Sequence, residues 1–446
     1  MVTDQQSDDD LSQLAALIDL GEAVPARRGP GGRRKRRRRL PITGVVFAVL
    51  LAVAGSYAGW ALNAPLPAPV ATEQLPQVPT PATASVPLPT DGAAAISITG
   101  AAKYFDAAPR KFSLTSGSDQ PRTIASVSKV ITALVVLEAR PLEDADDPGP
   151  TITFTKADHD LYDKYYVMGA TIAAMPIGTS MSEYDALATM LIPSACNYAE
   201  ALATWAYGSQ SAFVAAVRDW LDAHDLADTT IVEPTGLSHE NTSTPHDLLK
   251  IGELAAANPV IAAIAATSSL SLPGPGTMFN TNDLLGVDGI TGLKTGNLGA
   301  GSFALLYTAS LDVGKAGSLD VVGVVLDGGS RDSVDYDVRA TLDGIRDGFH
   351  AVEVATRDQA LGTVTTPWGA GARVVVSQDA AVYTWSDTPV TVALTRTTPT
   401  DYTKGQKVGT LTWQAGPSTA TADVELDGTI DPPTAWWRLT HPFELG

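Results

Sequence analysis

The chain has 446 residues and a formal net charge of −19, so it is long enough for two or three domains, and its acidity argues against a nucleic acid partner. Its one cysteine, Cys196, excludes an internal disulfide. Nine of the 30 basic residues but only six of the 49 acidic residues lie within residues 1–39, which leaves the remainder with an excess of 22 acidic residues.

The N-terminal region places a run of seven basic residues, 33–39, just before an uncharged apolar stretch, residues 42–62. Such a run alone could be a nuclear or nucleic-acid patch, but the stretch after it is long enough to span a bilayer. Basic residues stay on the cytoplasmic side, and Tyr57 and Trp60 suit the far interface. We therefore predict a cytoplasmic basic tail (1–41), one transmembrane helix (42–62) and an extracellular body at the cell membrane.

Membrane lipid is thus an expected partner, since the basic run can also rest on anionic headgroups. A cleaved signal peptide is the alternative, but the apolar stretch exceeds the ~7–15-residue core of a signal. Residues 63–92 are rich in proline, alanine and threonine. This composition predicts an extended linker that holds the body off the membrane.

A first strand is predicted at 93–100, followed by a short hairpin through Lys103 and Lys111. The segment 123–138 then predicts a buried helix, because its apolar residues spread around most of the circumference. Ser126 and Lys129 lie three residues apart and share one face of that helix.

The Ser126–Lys129 pair supplies a candidate nucleophile and base. A lysine in an apolar setting is costly unless it is paired or its pKa falls, and a lysine of lowered pKa can take a proton from a neighbouring serine. On its own the spacing is more typical of a snorkelling lysine and a serine near a helix start.

Two further helices are predicted at 182–192 and 194–203, interrupted by Pro193. Ser194 at this break either faces an active site or caps the second helix. A helix beginning at Thr244 and strands at 302–310 and 319–326 follow.

The motif Lys294-Thr295-Gly296 precedes the strand at 302–310 and predicts a hairpin with it. Gly296 permits close approach of a substrate backbone. Lys294 offers a cation for a carboxylate and Thr295 a hydroxyl beside it. Alone, the tripeptide is more typical of an ordinary turn.

In this order, Ser-x-x-Lys, the Ser194 segment and Lys-Thr-Gly resemble the signature of the serine D-alanyl-D-alanine carboxypeptidases, the low-molecular-weight penicillin-binding proteins. The resemblance covers roughly residues 93–350. It implies an α/β (α+β) penicillin-recognising, β-lactamase-like catalytic domain, residues 93–352, with an antiparallel sheet flanked by helices.

The resemblance also implies roles for single residues. Ser126 is the acylated nucleophile, Lys129 its general base, and Ser194 a proton relay to the departing D-alanine. Lys294 and Thr295 grip the terminal carboxylate of the peptide. The backbone N–H groups of Ser126 and Asn297 form the oxyanion hole, where donors face the developing charge.

One position departs from the family pattern. The third residue of Ser-x-Asn is Cys196, with Asn197 next. A thiol is a weaker donor and acceptor than an amide. Cys196 is either a tolerated substrate-binding variant, or Asn197 takes its place, or activity is weakened.

Residues 353–446 predict a C-terminal β-rich domain, because short strands at 362–369, 372–377, 390–394 and 408–413 are separated by turn signals. A small β-sandwich is the expected architecture. Trp436 and Trp437 near the end are expected to pack in a core rather than at an interface.

The leading hypothesis is therefore a membrane-anchored carboxypeptidase that removes the terminal D-alanine of peptidoglycan stem peptides and is inhibited by β-lactam antibiotics. The alternatives are a serine β-lactamase, with Glu233 as the candidate activator of water, and a weakened wall-binding protein. The six histidines are scattered without metal-ligand spacing, so neither metal nor cofactor is expected.

Overall fold

The computed structural model describes residues 42–105 and 112–446, which fall into two compact units. Among the described residues, one unit comprises residues 42–67 together with Pro433–Gly446, and the other comprises Ala68–Pro432. The predicted cytoplasmic tail lies outside the described residues, as does Lys111 of the predicted hairpin.

The helices, numbered in chain order, are α1 (Ile42–Asn63), α2 (Ser128–Ala139), α3 (Lys156–Val167), α4 (Glu183–Leu191), α5 (Cys196–Tyr207), α6 (Gln210–Ala223), α7 (Pro245–Ala257), α8 (Pro259–Ala265), α9 (Arg331–Asp347) and α10 (Ala435–Thr440). The strands are β1 (Val70–Glu73), β2 (Ala93–Thr99), β3 (Phe112–Ser116), β4 (Arg122–Thr123), β5 (Thr151–Thr153), β6 (Ser180–Ser182), β7 (Thr242–Ser243), β8 (Ser269–Leu272), β9 (Gly276–Phe279), β10 (Ile290–Gly296), β11 (Phe303–Asp312), β12 (Ser318–Gly328), β13 (Phe349–Ala355), β14 (Ala360–Thr365), β15 (Gly371–Val376), β16 (Ala380–Trp385), β17 (Val390–Arg396), β18 (Lys407–Ala415) and β19 (Ser418–Asp427).

Helix α1 confirms the helix predicted from the apolar stretch. Its 22 residues are long and apolar enough to cross a membrane. Among the described residues, α7 and α8 pass the same test only if taken together across a 97° bend, and both contribute buried residues to the core of the larger unit. That α1 crosses a bilayer remains a prediction.

Parts of the proline-rich segment are bound to the rest of the protein and are not a free spacer. Strand β1 pairs antiparallel with β14, with Glu73 opposite Gly362. Further along, the Thr341 hydroxyl donates to the Pro87 carbonyl at 2.7 Å. The expectation of a spacer is wrong for these residues, because extended backbone offers unpaired amides and carbonyls that a sheet edge satisfies.

The catalytic region is built on a five-stranded antiparallel sheet in the order β10-β11-β12-β2-β3. Side chains alternate across it, as along β12, where Val321 and Val325 join one apolar cluster while Val324 and Leu326 join another. Helix α9 packs in the first cluster and helices α2 and α4 to α8 in the second. This confirms the predicted sheet with helices on both faces.

The C-terminal strands form a six-stranded sheet in the order β1-β14-β15-β19-β18-β17, and a two-stranded sheet of β13 and β16. Side chains from both sheets share one core around the fully buried Trp413, which is a small β-sandwich. The core placement of Trp436 is wrong, since this side chain is 65% exposed.

Glu183, the first residue of α4, is fully buried, and neither carboxylate oxygen has a hydrogen-bond partner among the described residues. Burial raises the pKa of its carboxyl to about 7, against the opposing effect of the Arg140 charge. Because the folded pKa lies above the ordinary value, this group contributes stability at low pH that is lost as the pH rises through about 7.

We expect Glu183→Gln to remove this pH dependence and to raise the free energy of unfolding at pH 8 by roughly 1–2 kcal/mol. Denaturant titrations at pH 5 and pH 8 measure both effects. Glu240→Gln, at an exposed glutamate, is the matched control and should leave the profile unchanged. An unaltered pH profile in Glu183→Gln would contradict the assignment.

Candidate active site

Ser126 lies in a 3-10 turn, Ala125–Val127, which leads into α2. The regular helix therefore begins at Ser128, later than predicted, because Ala125 has a positive φ of 47° that a helix cannot continue through. The turn preserves the spacing of three residues, so Ser126 and Lys129 remain on one side of the chain.

Lys129 is fully buried, and its amino group contacts three partners. Its Nζ donates to the Thr235 carbonyl at 2.6 Å and to the Ser126 Oγ at 3.1 Å, and it lies 3.4 Å from the Cys196 Sγ. These contacts fix the amine within proton-transfer distance of the hydroxyl.

The turn at residues 233–238 presents the Thr235 carbonyl. Glu233 closes this turn, since its carboxylate accepts hydrogen bonds from the backbone N–H groups of Thr235, Gly236 and Ser238. The Asn241 side chain donates to the Glu233 carbonyl at 2.9 Å and to the Ser128 hydroxyl at 3.0 Å. The Glu233 carboxylate thus stabilises the turn. Because its oxygens already accept these hydrogen bonds, it is poorly placed to activate water.

Gly236 lies against the backbone of the nucleophile turn. A Cβ at this position would stand 1.9 Å from the Ala125 carbonyl oxygen and 2.9 Å from the Ser126 nitrogen, and its φ is +82°. No side chain fits there without moving Ser126.

We expect Gly236→Ala to lower kcat/KM about 100-fold, because a displacement of about 1 Å at the nucleophile is enough for such a loss. Steady-state kinetics measure the effect. Gly208→Ala is the matched control, since Gly208 has φ +80° with nothing within 4 Å of an added Cβ. If both variants lose activity equally, backbone strain rather than the clash at Ser126 is the cause.

Ser194 stands at the break between α4 and α5 with φ +69°. Helix α5 begins at Cys196 with Ala195 as its N-cap and no capping side chain, so the capping interpretation of Ser194 is wrong. Its Oγ is buried without a hydrogen-bond partner among the described residues. An unsatisfied buried hydroxyl next to Cys196 is available to a bound molecule.

Cys196 reaches the cleft and Asn197 does not. The Asn197 amide is fully committed to a neighbouring segment, because its Nδ2 donates to the Ala173 carbonyl at 2.8 Å and its Oδ1 accepts from the Ala173 N–H at 3.1 Å. The structure therefore brings the thiol, not the amide, next to Lys129.

Lys294 and Thr295 lie on β10, the edge strand beside Ser126. A Cβ on Gly296 would stand 3.1 Å from the Ala125 Cβ and 3.3 Å from the Ser126 nitrogen. The end of this strand therefore shares one cleft with Ser126. Asn297 follows immediately, with its Oδ1 accepting from the Gly299 N–H at 2.7 Å.

Lys294 is buried, and burial lowers its pKa well below the ordinary value, reinforced by the Lys129 and Arg331 charges and opposed by Cys196. Its Nζ donates to the Thr281 hydroxyl at 3.2 Å. The cleft thus brings the basic side chains of Lys294 and Lys129 together, with Arg331 near enough to affect Lys294. Arg331 is itself paired with Asp283 at 3.2 Å. Basic groups placed in this way can attract a carboxylate.

The sequence interpretation missed Thr281 and Arg331. The Thr281 Oγ1 lies 2.7 Å from the Thr295 Oγ1, and the Arg331 guanidinium donates to the Thr281 carbonyl at 2.6 Å. Neither residue belongs to a short motif. Their participation depends on the packing of segments that lie far apart in the chain.

A serine hydroxyl beside a buried lysine, a second lysine on an edge strand, and an antiparallel sheet between helices define the class of penicillin-recognising serine enzymes. The family profile described as D-alanyl-D-alanine carboxypeptidase matches residues 100–330, just over half of the chain. The chain therefore belongs to the D-alanyl-D-alanine carboxypeptidase family.

Two curated relatives are named D-alanyl-D-alanine endopeptidase. The one from Escherichia coli K12 is 31% identical over 169 residues, which are 38% of this chain and 51% of the relative. The one from Pseudomonas aeruginosa is 32% identical over 129 residues, 29% of this chain and 38% of the relative. The chain thus matches about half of these relatives or less.

Penicillin binding protein 5 from Haemophilus influenzae is a structural neighbour. Its likeness covers 78% of this chain and all of the other, with 16% identity and a TM-score of 0.50. This degree of likeness shows a shared fold.

Proposed function

We propose that the chain is a membrane-anchored serine D-Ala-D-Ala carboxypeptidase that removes the terminal D-alanine from peptidoglycan stem peptides. The observation that carries this proposal is the 3.1 Å contact between the Lys129 Nζ and the Ser126 Oγ, in a cleft shared with a second buried lysine, Lys294.

In the proposed reaction the Lys129 amine takes the Ser126 proton while the Oγ attacks the carbonyl carbon of the penultimate D-alanine. The backbone N–H groups of Ser126 and Asn297 stabilise the oxyanion. The C–N bond to the terminal D-alanine breaks, and its nitrogen receives a proton through the Ser194 hydroxyl. Water then hydrolyses the acyl ester and restores Ser126.

The substrate carboxylate is the proposed ligand of the positive end of the cleft. Lys294 and Arg331 supply the charge, and the hydroxyls of Thr295 and Thr281 add donors beside it. Cys196, rather than Asn197, would border the peptide near Lys129. β-Lactams carry a carboxylate and an acylating carbonyl and are the proposed inhibitors at the same place.

Helix α1 is the proposed single membrane anchor, with the N-terminus cytoplasmic and the catalytic domain outside. Basic residues precede α1 and none lies within it, and this distribution supports the proposed orientation.

A second candidate is an endopeptidase that cuts a cross-link between stem peptides, because both curated relatives are named D-alanyl-D-alanine endopeptidase. The β-lactamase alternative loses support, since Glu233 is bound to the backbone of its own turn.

The purified full chain, incubated in detergent with a D-Ala-D-Ala pentapeptide, a cross-linked peptide dimer and nitrocefin, tests these assignments by mass spectrometry and absorbance. Release of D-alanine from the pentapeptide is expected. Cleavage of the dimer alone would establish the endopeptidase instead. Rapid nitrocefin turnover would establish a β-lactamase, and wall binding without turnover of any substrate would refute enzymatic function.

A further inference from the structure

The C-terminal segment, Pro433–Gly446, folds back onto the outer end of α1 and forms one compact unit with it. The Tyr57 hydroxyl donates to the Leu439 carbonyl at 2.6 Å. The Gly446 N–H donates to the Pro65 carbonyl at 2.9 Å. These bonds join the two ends of the described chain along the last two turns of the helix.

Arg438 caps the helix. Its guanidinium donates to the Ala64 carbonyl at 2.9 Å and to the Ala61 carbonyl at 3.5 Å. Carbonyls at a helix C-terminus lack intrahelical partners, and a cation there is favourable. Ala61 is fully buried, although nearly all of α1 is exposed. The contact is therefore an ordered docking of the segment onto α1.

Large aromatic side chains remain exposed on this unit. Trp436 is 65% exposed and Phe443 is fully exposed, and Trp60 on α1 is 50% exposed. Trp437, by contrast, stacks on His441. The segment carries one arginine and one glutamate, so its affinity for a surface would be apolar rather than electrostatic. Tryptophan and tyrosine are the residues enriched where a membrane helix meets water.

We propose that Trp436 and Phe443 insert into the headgroup–acyl boundary of the outer leaflet beside the end of α1. The inference rests on the proposed membrane span. The chain then contacts the bilayer through both α1 and the C-terminal segment, and the lipid interface, rather than a second copy of the chain, covers the exposed rings.

The test uses the full chain in phosphatidylcholine proteoliposomes, with Phe443→Cys labelled by an environment-sensitive NBD dye. Lys315→Cys, at an exposed site in the other unit, is the matched control, and Cys196 is buried. We expect blue-shifted emission at position 443, protection from iodide, and quenching by lipids brominated near the headgroup, at a depth of roughly 5–10 Å. The label at position 315 should emit as in water.

Alkaline extraction of the same vesicles distinguishes failure of the aromatic insertion from failure of the membrane span. Iodide quenching at position 443 equal to that at 315, in protein that resists extraction, overturns the insertion while the span stands. Protection without quenching by brominated lipid indicates a protein contact and also overturns it. Release of the chain by alkali overturns the span and the insertion together.

Discussion

Replacing Ser126 by alanine should abolish covalent labelling by a fluorescent penicillin and lower D-alanine release by roughly 10⁴-fold or more. We propose that the acyl-enzyme forms on the Oγ of this residue, since no other hydroxyl contacts the Lys129 Nζ among the described residues. Binding of the peptide should survive, because the carboxylate site on Lys294 is left intact. Gel fluorescence and mass spectrometry of the labelled protein measure the loss directly.

Ser118→Ala supplies the control for Ser126→Ala, since Ser118 is exposed and its hydroxyl accepts a hydrogen bond from Arg122. It should label like the wild type. Both variants should unfold at the wild-type temperature, which separates loss of the nucleophile from loss of the fold. Persistent labelling of Ser126→Ala at another residue would refute the assigned nucleophile.

Replacing Lys294 by methionine should stabilise the fold and, in the same molecule, reduce kcat/KM by about 100- to 1,000-fold. The expected loss of activity, about 3–4 kcal/mol, follows from removing the proposed charge-assisted bond to the substrate carboxylate. The gain in stability, about 1–3 kcal/mol, follows from replacing a buried cation with an apolar side chain of similar volume.

The pH dependence of Lys294→Met has a defined sign. The folded pKa of Lys294 lies below its ordinary value of 10.5, so protonated Lys294 destabilises the wild type fully below the folded pKa. That penalty disappears as the pH rises toward 10.5. The stability difference between variant and wild type should therefore shrink as the pH rises.

Thermal and denaturant unfolding from pH 6 to pH 10, with steady-state kinetics at pH 7.5, test both halves of the Lys294 prediction. Lys315→Met removes an exposed lysine and should change neither stability nor activity. A destabilised but active Lys294→Met would mean that this ammonium makes structural bonds and does not face the substrate.

Short-range patterns were sufficient for much of the fold. Strands β11 and β12 follow from their apolar runs, and α7 follows from its N-cap at Thr244. The helix after Ser126 starts later than the sequence predicts, because periodicity continues through Ala125, which has a positive φ and lies against Gly236. Apolar periodicity carries no signal for such a contact between distant segments.

The candidate site divides in the same way. Ser126, Lys129 and Lys294 follow from motif residues whose chemistry is visible in the sequence, and the structure brings them into one cleft. Arg331 is the first residue of α9, a position where an arginine needs no functional role. Its hydrogen bond to the Thr281 carbonyl in the structure is what places it at the site. Whether Cys196 or Asn197 faces the cleft depends on the direction of each side chain. The sequence does not determine that direction.

The pairing of β1 with β14 has a consequence for biogenesis. Glu73 leaves the ribosome long before Gly362, its partner in the sheet, and the whole peptidase domain is translated between them. The first strand must therefore wait unpaired, and the C-terminal sheet can close only near the end of synthesis. Contacts so distant in sequence slow folding and leave an edge open to aggregation, so a chaperone that shields residues 70–73 until release would raise the yield of native protein.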